Sequence, residues 1–127
     1  MKFSRTLLLC IAALMGQLAI SQNVLAQNVH SYIMSFEAPG SGTQPGQGTG
    51  CFGCTFSINQ SGAVVGTYLD ANNVYHGFLR SSVGQFTSLE VPGADTTPNH
   101  FNGTFAQSIN NSGAITGFYA DAKGSTH

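Results

Sequence analysis

Short apolar runs separated by tetrapeptides rich in Asn, Asp, Ser and Gly set the pattern of this chain. Cys54–Ile58, Ala63–Leu69, Val74–Ser81 and Gln85–Val91 have strand lengths and are enriched in aromatic and β-branched residues, which fit a pleated, half-buried surface. Asn59-Gln60-Ser61-Gly62 and Asp70-Ala71-Asn72-Asn73 interrupt them. Asn or Asp at the first turn position can bond the backbone two residues on, and Gly tolerates positive φ, so both read as tight turns. Pro92-Gly93 ends the last strand, because proline cannot donate to a sheet ladder. Side chains alternate between strand faces. In the second strand, Val64, Gly66, Tyr68 and Asp70 share one face and Ala63, Val65, Thr67 and Leu69 the other. In the fourth, Thr87, Leu89 and Val91 form the apolar face, with Ser88 and Glu90 opposite.

The same pattern returns. Residues 57–70 read SINQSGAVVGTYLD and residues 108–121 read SINNSGAITGFYAD, an offset of 51 with nine of fourteen positions identical. His76 and His127 keep that offset. Upstream, SFEAPG from Ser35 resembles SLEVPG from Ser88 at an offset of 53, and the loops after Pro39 and Pro92 absorb the difference. The positions held between copies are Asn59, Gly62, Gly66, Tyr68, Asp70 and His76, matched by Asn110, Gly113, Gly117, Tyr119, Asp121 and His127. An unchanged face should meet the same environment each time, and Gly66 and Gly117 would admit a neighbouring sheet. Four antiparallel strands in about fifty residues is the size of one β-propeller blade. The expected fold is therefore all-β and propeller-like, built of antiparallel four-stranded units and incomplete, with about two blades. The units span 31–40 (last strand only), 54–93 and 105–127, within a β-repeat domain over 27–127. The second copy reaches His127 where the first continues as Gly77-Phe78-Leu79-Arg80, so further units of the same chain are expected.

Residues 1–26 read differently. Lys2 and Arg5 precede an apolar run from Leu7 to Met15, and Val24-Leu25-Ala26 supplies a cleavage site, the layout of a secretory signal peptide. The run is too short to span a bilayer comfortably. Export to the periplasm, cell surface or medium is expected, with no membrane insertion after cleavage.

The composition is 42% hydrophobic and 7% charged, with 16 Gly and no Trp, which suits short strands and many turns better than helices or a charged disordered tail. Beyond residue 26, Arg80 and Lys123 stand against Glu37, Asp70, Glu90, Asp95 and Asp121, a net charge of −3. With no basic patch, the sequence argues against nucleic acid and anionic membrane surfaces as partners.

His76-Gly77-Phe78-Leu79, together with Ser57-Ile58-Asn59 and Gly62-Ala63-Val64-Val65-Gly66, resembles the bacterial extracellular HAF-repeat proteins. Those repeats pair a His-Ala-Phe-Leu strand with an Ile-Asn-x-x-Gly-x-x-x-Gly strand. Gly77 stands where the family has Ala. The resemblance covers most of residues 27–127 and implies a secreted or cell-surface β-repeat protein, propeller-like in form. It carries no agreed activity and supplies no catalytic residues.

Candidate chemistry is sparse. Cys51-Phe52-Gly53-Cys54 lies in a Gly-rich loop, and after export a disulfide is its expected fate. No helix start or positive charge is at hand to activate a thiol, and no second pair completes a zinc site. The other copy has no cysteine here, which makes the loop a local insertion. Gly48-Thr49-Gly50-Cys51-Phe52-Gly53 matches G-x-G-x-x-G, but no helical pattern follows it, so it reads as loop rather than cofactor site. Asp70 with His76, and Asp121 with His127, recur once per copy and read as folding devices: Asp capping a turn, His bonding a neighbouring loop or strand. Calcium would need more oxygen ligands than Asp-Ala-Asn-Asn supplies. Glu37 and Glu90, on successive copies, read as surface charge rather than a glycosidase pair. Asn59, Asn102 and Asn110 lie in N-x-S/T sequons, the first and last serving turns.

No catalytic, cofactor or metal residues are expected. The leading expectation is a structural or binding scaffold for a surface glycan or protein. The rivals are a propeller-type hydrolase or lyase whose active site lies partly in other repeats, and a truncated, non-functional product. An enzyme should carry unique polar residues at one position, and His100 and the cysteine loop are the notable unique features. The exported chain should begin at Gln27 when read by N-terminal sequencing; a secreted chain still beginning at Met1 contradicts the signal-peptide assignment.

Overall fold

The computed structural model describes residues 33–51 and 53–127; the expected signal peptide, the first residues of the 31–40 segment and Phe52 lie outside them. One compact unit covers Ser35–His127. It is all-β, with no helix among the described residues. Six strands follow one another: β1 (Phe56–Ile58), β2 (Val64–Leu69), β3 (Tyr75–Arg80), β4 (Phe86–Leu89), β5 (Gly103–Ile109) and β6 (Ile115–Ala120). The first four form an antiparallel meander, and β5 pairs antiparallel with β6. A single parallel contact, Tyr75 opposite Gly103, joins β3 to β5, so the sheet is mixed rather than wholly antiparallel.

The β1–β2 and β5–β6 hairpin turns are built by one device. Asn59 Oδ1 accepts the N–H of Ser61 at 3.1 Å, its hydroxyl at 2.7 Å, and the N–H of Ala63 at 3.0 Å. Asn110 Oδ1 does the same for Ser112 at 3.0 and 2.7 Å and for Ala114 at 2.8 Å. The carboxamide thereby takes backbone donors that the tight bend would leave exposed. Gly62 and Gly113 follow at φ +82° and +85°, a region costly for other residues. The turns also touch: Asn59 Nδ2 donates to Asn110 O at 3.2 Å, and Gln60 N to Asn111 Oδ1 at 3.0 Å.

Both faces of β2 are buried. On one, Val64 and Tyr68 join Phe78 and Phe86 over Phe36 and Ala38. The Phe78 ring is edge-on to Phe36 with centroids 6.0 Å apart, the favoured aromatic geometry. The Arg80 guanidinium lies 5.1 Å over the Phe36 ring, closing the edge of this cluster with a cation–π contact. On the other face, Val65 packs with Ala106 and Ile109 of β5, flanked by Ala63, Leu79, Leu89 and Ile115. Thr67, also on that face, donates its hydroxyl to Ala106 O at 3.3 Å. The β5–β6 hairpin thus sits on the back of the first four strands.

Two sequence expectations change. A Cβ at Gly66 would collide with the Phe56 ring and lie 3.0 Å from Phe78 Cε1, so the glycine admits cross-strand aromatic rings rather than a neighbouring sheet. At Gly117 the obstacle is the backbone of β5, Phe105 O and Ala106 Cα, where a bulge lies between Ala106 and Ser108. In β4, Phe86 faces the first cluster and Leu89 the second, so apolar residues occupy both faces instead of the Thr87–Leu89–Val91 face alone. The cause is the sandwiching of this meander from both sides, which alternation within one strand does not reveal.

Phe78, 2% exposed, anchors the first cluster. Phe78→Ala should cost about 3–5 kcal/mol in denaturant unfolding. Val83→Ala, at an 81% exposed turn position, should change stability by less than about 0.5 kcal/mol. Similar costs for the two would contradict this packing.

Candidate functional site

Two Pro-Gly loops run past the ends of β2 and β6 in the same way. Ala38 N donates to Thr49 Oγ1 at 2.8 Å, and Val91 N to Thr104 Oγ1 at 3.1 Å. Gly42 N reaches Leu69 O at 2.9 Å, and Asp95 N reaches Ala120 O at 2.8 Å. Gly42 and Asp95 are therefore structural counterparts. Beyond them the loops diverge: the first returns to its sheet at Gly48, opposite Leu69, and the second two residues later, at Gly103 opposite Ala120.

The longer loop holds a built cluster. The Asp95 side chain is 3% exposed. Its Oδ1 accepts Thr97 N at 2.9 Å; its Oδ2 accepts Asn102 Nδ2 at 3.2 Å and meets His100 Nδ1 at 2.9 Å. The hydroxyl and N–H of Thr97 hold this carboxyl well below the usual carboxylate range, against the opposing effect of burial, with Asn102 and His100 adding to the shift. Bonding Nδ1 to a fixed carboxylate makes Nδ1 the donor and leaves Nε2 as the ring's free acceptor on an imidazole 51% exposed. In the shorter loop the Gln47 carboxamide occupies the place a Gly42 side chain would take, and Gln47 Oε1 accepts Gln44 N at 3.1 Å.

The backbone on either side of His100 is strained. Asn99 and Phe101 have φ of +63° and +55°, costing on the order of 1–3 kcal/mol each and unusual for a bulky side chain. Bonds to the β2–β3 turn hold them there: Asn99 N to Asn72 O at 2.7 Å, Phe101 N to Asn73 O at 3.2 Å, and Tyr75 N to Asn102 O at 2.9 Å. Carboxamides extend the surface. Gln47 Nε2 donates to Asn73 Oδ1 at 2.8 Å, and Asn73 Nδ2 to Asn99 Oδ1 at 2.7 Å. The result is a chain of bonded carboxamides in the same loop region as Phe101, 52% exposed, and the exposed imidazole of His100.

The recurrent polar residues are used differently. Asp70 Oδ1 accepts Asn72 N at 2.9 Å and Val74 N at 2.8 Å, while Asp121 Oδ1 accepts Lys123 N at 2.8 Å and Ser125 N at 2.9 Å. Burial raises the Asp70 pKa, but the N–H groups of Val74 and Asn72 and the His76 ring outweigh it, and the net shift is downward. Asp121 is also lowered, chiefly by Ser125 N–H. His76 lies between two carboxylates, Nε2 3.4 Å from Asp70 and Nδ1 2.8 Å from Glu90, and stacks on Tyr68 at 5.1 Å. His127 stacks on Tyr119 at 4.8 Å and lies 3.3 Å from Asp121. Burial, with Glu90 and Asp70 nearby, pushes the Tyr68 hydroxyl up. Both ring nitrogens of His76 thus face carboxylate oxygens of its own sheet. No group of three His, Cys, Asp or Glu able to hold one occurs among the described residues.

Glu90 is an exposed charge that also accepts the Ser88 hydroxyl at 2.8 Å. Glu37 Oε2 accepts Thr49 N at 3.3 Å. Cys51 and Cys54 form a disulfide, with Cα atoms 5.4 Å apart. From Gly48, opposite Leu69, to Ser57, opposite Val65, is nine residues; the matching span from Gly103 to Ser108 is five. The cysteine pair thus sits in a four-residue excess that leaves the strand. No helix follows the glycines there. Sequence reasoning noted His100 but missed Asp95, Asn99 and Phe101; the distance to the next strand is longer after Pro39-Gly40 than after Pro92-Gly93, so it pointed to the other loop.

No protein-family model matches the sequence, and neither does any curated protein or solved structure.

The lowered carboxyls fix the sign of the acid response. Asp70, Asp95 and Asp121 bind protons less readily folded than unfolded, so their stabilisation is complete above the unfolded value and is lost as pH falls through the lower folded values. Unfolding free energy should decline between roughly pH 5 and pH 2, and Asp95→Asn should flatten that decline. Superimposable profiles for wild type and variant would contradict the role given to Asp95.

Proposed function

We propose that this chain is an exported β-repeat protein, propeller-like in architecture, that serves as a non-enzymatic scaffold and binds a glycan through the Asp95–Asn102 loop. One observation carries the reading: a buried Asp95 orients an exposed His100 beside an exposed Phe101 in the loop where correspondence between the two Pro-Gly segments breaks down. Corresponding polar residues elsewhere are consumed in turns and stacks. Effort spent on holding unfavourable φ beside exposed chemistry points to recognition. An aromatic face offers a platform for the C–H face of a sugar ring, and the neighbouring carboxamides and imidazole both donate to and accept from hydroxyls. The few charges and net acidity suit a neutral glycan better than a polyanion. The signal-peptide pattern, the offset of 51 and the HAF-repeat resemblance support the secreted, repeated character of the chain.

A second reading rests on the same pair. A histidine with Nδ1 on a buried carboxylate and Nε2 toward solvent is the orientation a general base needs, as in a hydrolase or lyase. No Ser, Thr or Cys side chain bonds His100 Nε2 among the described residues, which favours binding over nucleophilic catalysis.

Glycan-array binding followed by titration separates the readings. The exported chain should bind a glycan unchanged, with His100→Ala and Phe101→Ala each weakening affinity by about tenfold or more and Val83→Ala leaving it intact. Absence of glycan binding, or equal affinity for all variants, contradicts the proposal. Turnover of the glycan that is lost in His100→Ala establishes the enzyme reading instead.

A further inference from the structure

The Asn-x-Ser/Thr sequons at Asn59, Asn102 and Asn110 share a sequence pattern, but their side-chain amides have different surroundings. Asn102 Nδ2 donates to Asp95 Oδ2 at 3.2 Å and to Asp121 O at 3.4 Å. The hydroxyl of its sequon, on Thr104, is buried and accepts Val91 N at 3.1 Å. At Asn102, then, the amide nitrogen is engaged twice and the hydroxyl is withdrawn from solvent.

Asn59 and Asn110 stand in nearly identical turns, residues 57–63 reading SINQSGA and residues 108–114 reading SINNSGA. Each turn is closed through the carboxamide oxygen and makes no demand on Nδ2. At Asn110, Ser112 N, Ser112 Oγ and Ala114 N donate to Oδ1 at 3.0, 2.7 and 2.8 Å. A carboxamide nitrogen becomes a nucleophile by giving up a proton, which spreads negative charge onto Oδ1. Three donors already aimed at that oxygen stabilise the charge, as preorganised donors stabilise an oxyanion. The two turns part at the nitrogen. Asn59 Nδ2 faces the neighbouring turn and donates to Asn110 O at 3.2 Å. Asn110 Nδ2 makes no hydrogen bond among the described residues. Residues 110–114 are exposed at every position, whereas Asn59, Gly62 and Ala63 are partly covered.

We propose that Asn110 is an acceptor site for N-linked glycosylation of the folded chain, and that Asn59 and Asn102 are held back from it. The co-substrate is a sugar activated as a phosphate ester at its anomeric carbon, delivered by a separate transferase. Asn110 Nδ2 attacks the anomeric carbon and a C–N bond forms. The C–O bond to the phosphate breaks, its electron pair leaves on the phosphate, and one Nδ2 proton passes to a base of the transferase. The turn survives the reaction, because Oδ1 keeps its three donors and the new bond is made at the unused nitrogen. This modification does not involve His100 or Phe101, so it and glycan binding at their loop succeed or fail separately.

The test treats the folded full chain with UDP-glucose and a soluble glucosyltransferase that recognises Asn-x-Ser/Thr, and reads each site by peptide-mapping mass spectrometry. Asn110 should gain one hexose at least about fivefold faster than Asn59, the margin set by the one hydrogen bond that Asn59 Nδ2 must give up. Asn102 should stay unmodified. Free peptides of residues 57–63 and 108–114, which differ only at Gln60 and Asn111, should react at similar rates because neither retains the packing of one turn on the other. Absence of transfer to Asn110, or equal rates at Asn59 and Asn110 in the folded chain, overturns the proposal. The same preference for Asn110 in the free peptides also overturns it, since the difference then comes from Gln60 and Asn111 rather than from the fold.

Discussion

Burial of β2 on both faces is the constraint from which the rest of the structure follows. A strand covered on one side can alternate apolar and polar residues; one covered on both cannot. Val65 and Thr67 face β5, and Val64, Gly66 and Tyr68 face the aromatic cluster. The backbone partners are equally committed, β1 on one edge and β3 on the other. Gly66 is needed because the Phe56 and Phe78 rings meet across it. The Thr67 hydroxyl, buried at 1% exposure, is tolerable because Ala106 O accepts it. Removing the β5–β6 hairpin would expose a face that has no polar alternative.

Around that strand, turns and caps are local and largely self-sufficient. Asn59 and Asn110 close their hairpins from within four residues, as do Asp70 and Asp121. Such short-range bonds let the same sequence fold the same way at two places, since each turn carries its own instructions. The loops after Pro39 and Pro92 have no such uniformity. Gln47 reaches back to fill one, and Asp95 fills the other from its own base. That freedom is where His100 and Phe101 acquire a presentation with no counterpart in the first loop.

How much of this was readable in the sequence depended on the range of the interaction. The strands expected between residues 54 and 93 were read to within one or two residues, because alternation and turn chemistry are local, whereas the last strand expected within 31–40 is not formed at residues 33–40, which run beside the sheet as loop. β5 likewise begins at Gly103, two residues before the expected unit start at 105. The all-β class followed from the same signals. What stayed hidden was long-range. That Phe86 and Leu89 face different clusters requires knowing that the meander is covered from both sides. That Gly66 serves Phe56 and Phe78 requires the register. The parallel contact between Tyr75 and Gly103 has no sequence signature. Asp95 looks like any loop acid until Thr97, His100 and Asn102 are seen to converge on it. His100 stood out only by its absence from the other copy.

Native-state hydrogen exchange, resolved by residue, tests the double burial of β2 most directly. The account gives the Val65–Leu69 amides the slowest exchange in the molecule, released only on global unfolding and together with the β5 amides that pack on them. Thr116 and Gly117 of β6, exposed where their β2 counterparts Val65 and Gly66 are buried, should exchange far faster. Exchange of Val65–Leu69 as rapid as that of Thr116 and Gly117, or independent of β5, would contradict the double burial on which this structure rests.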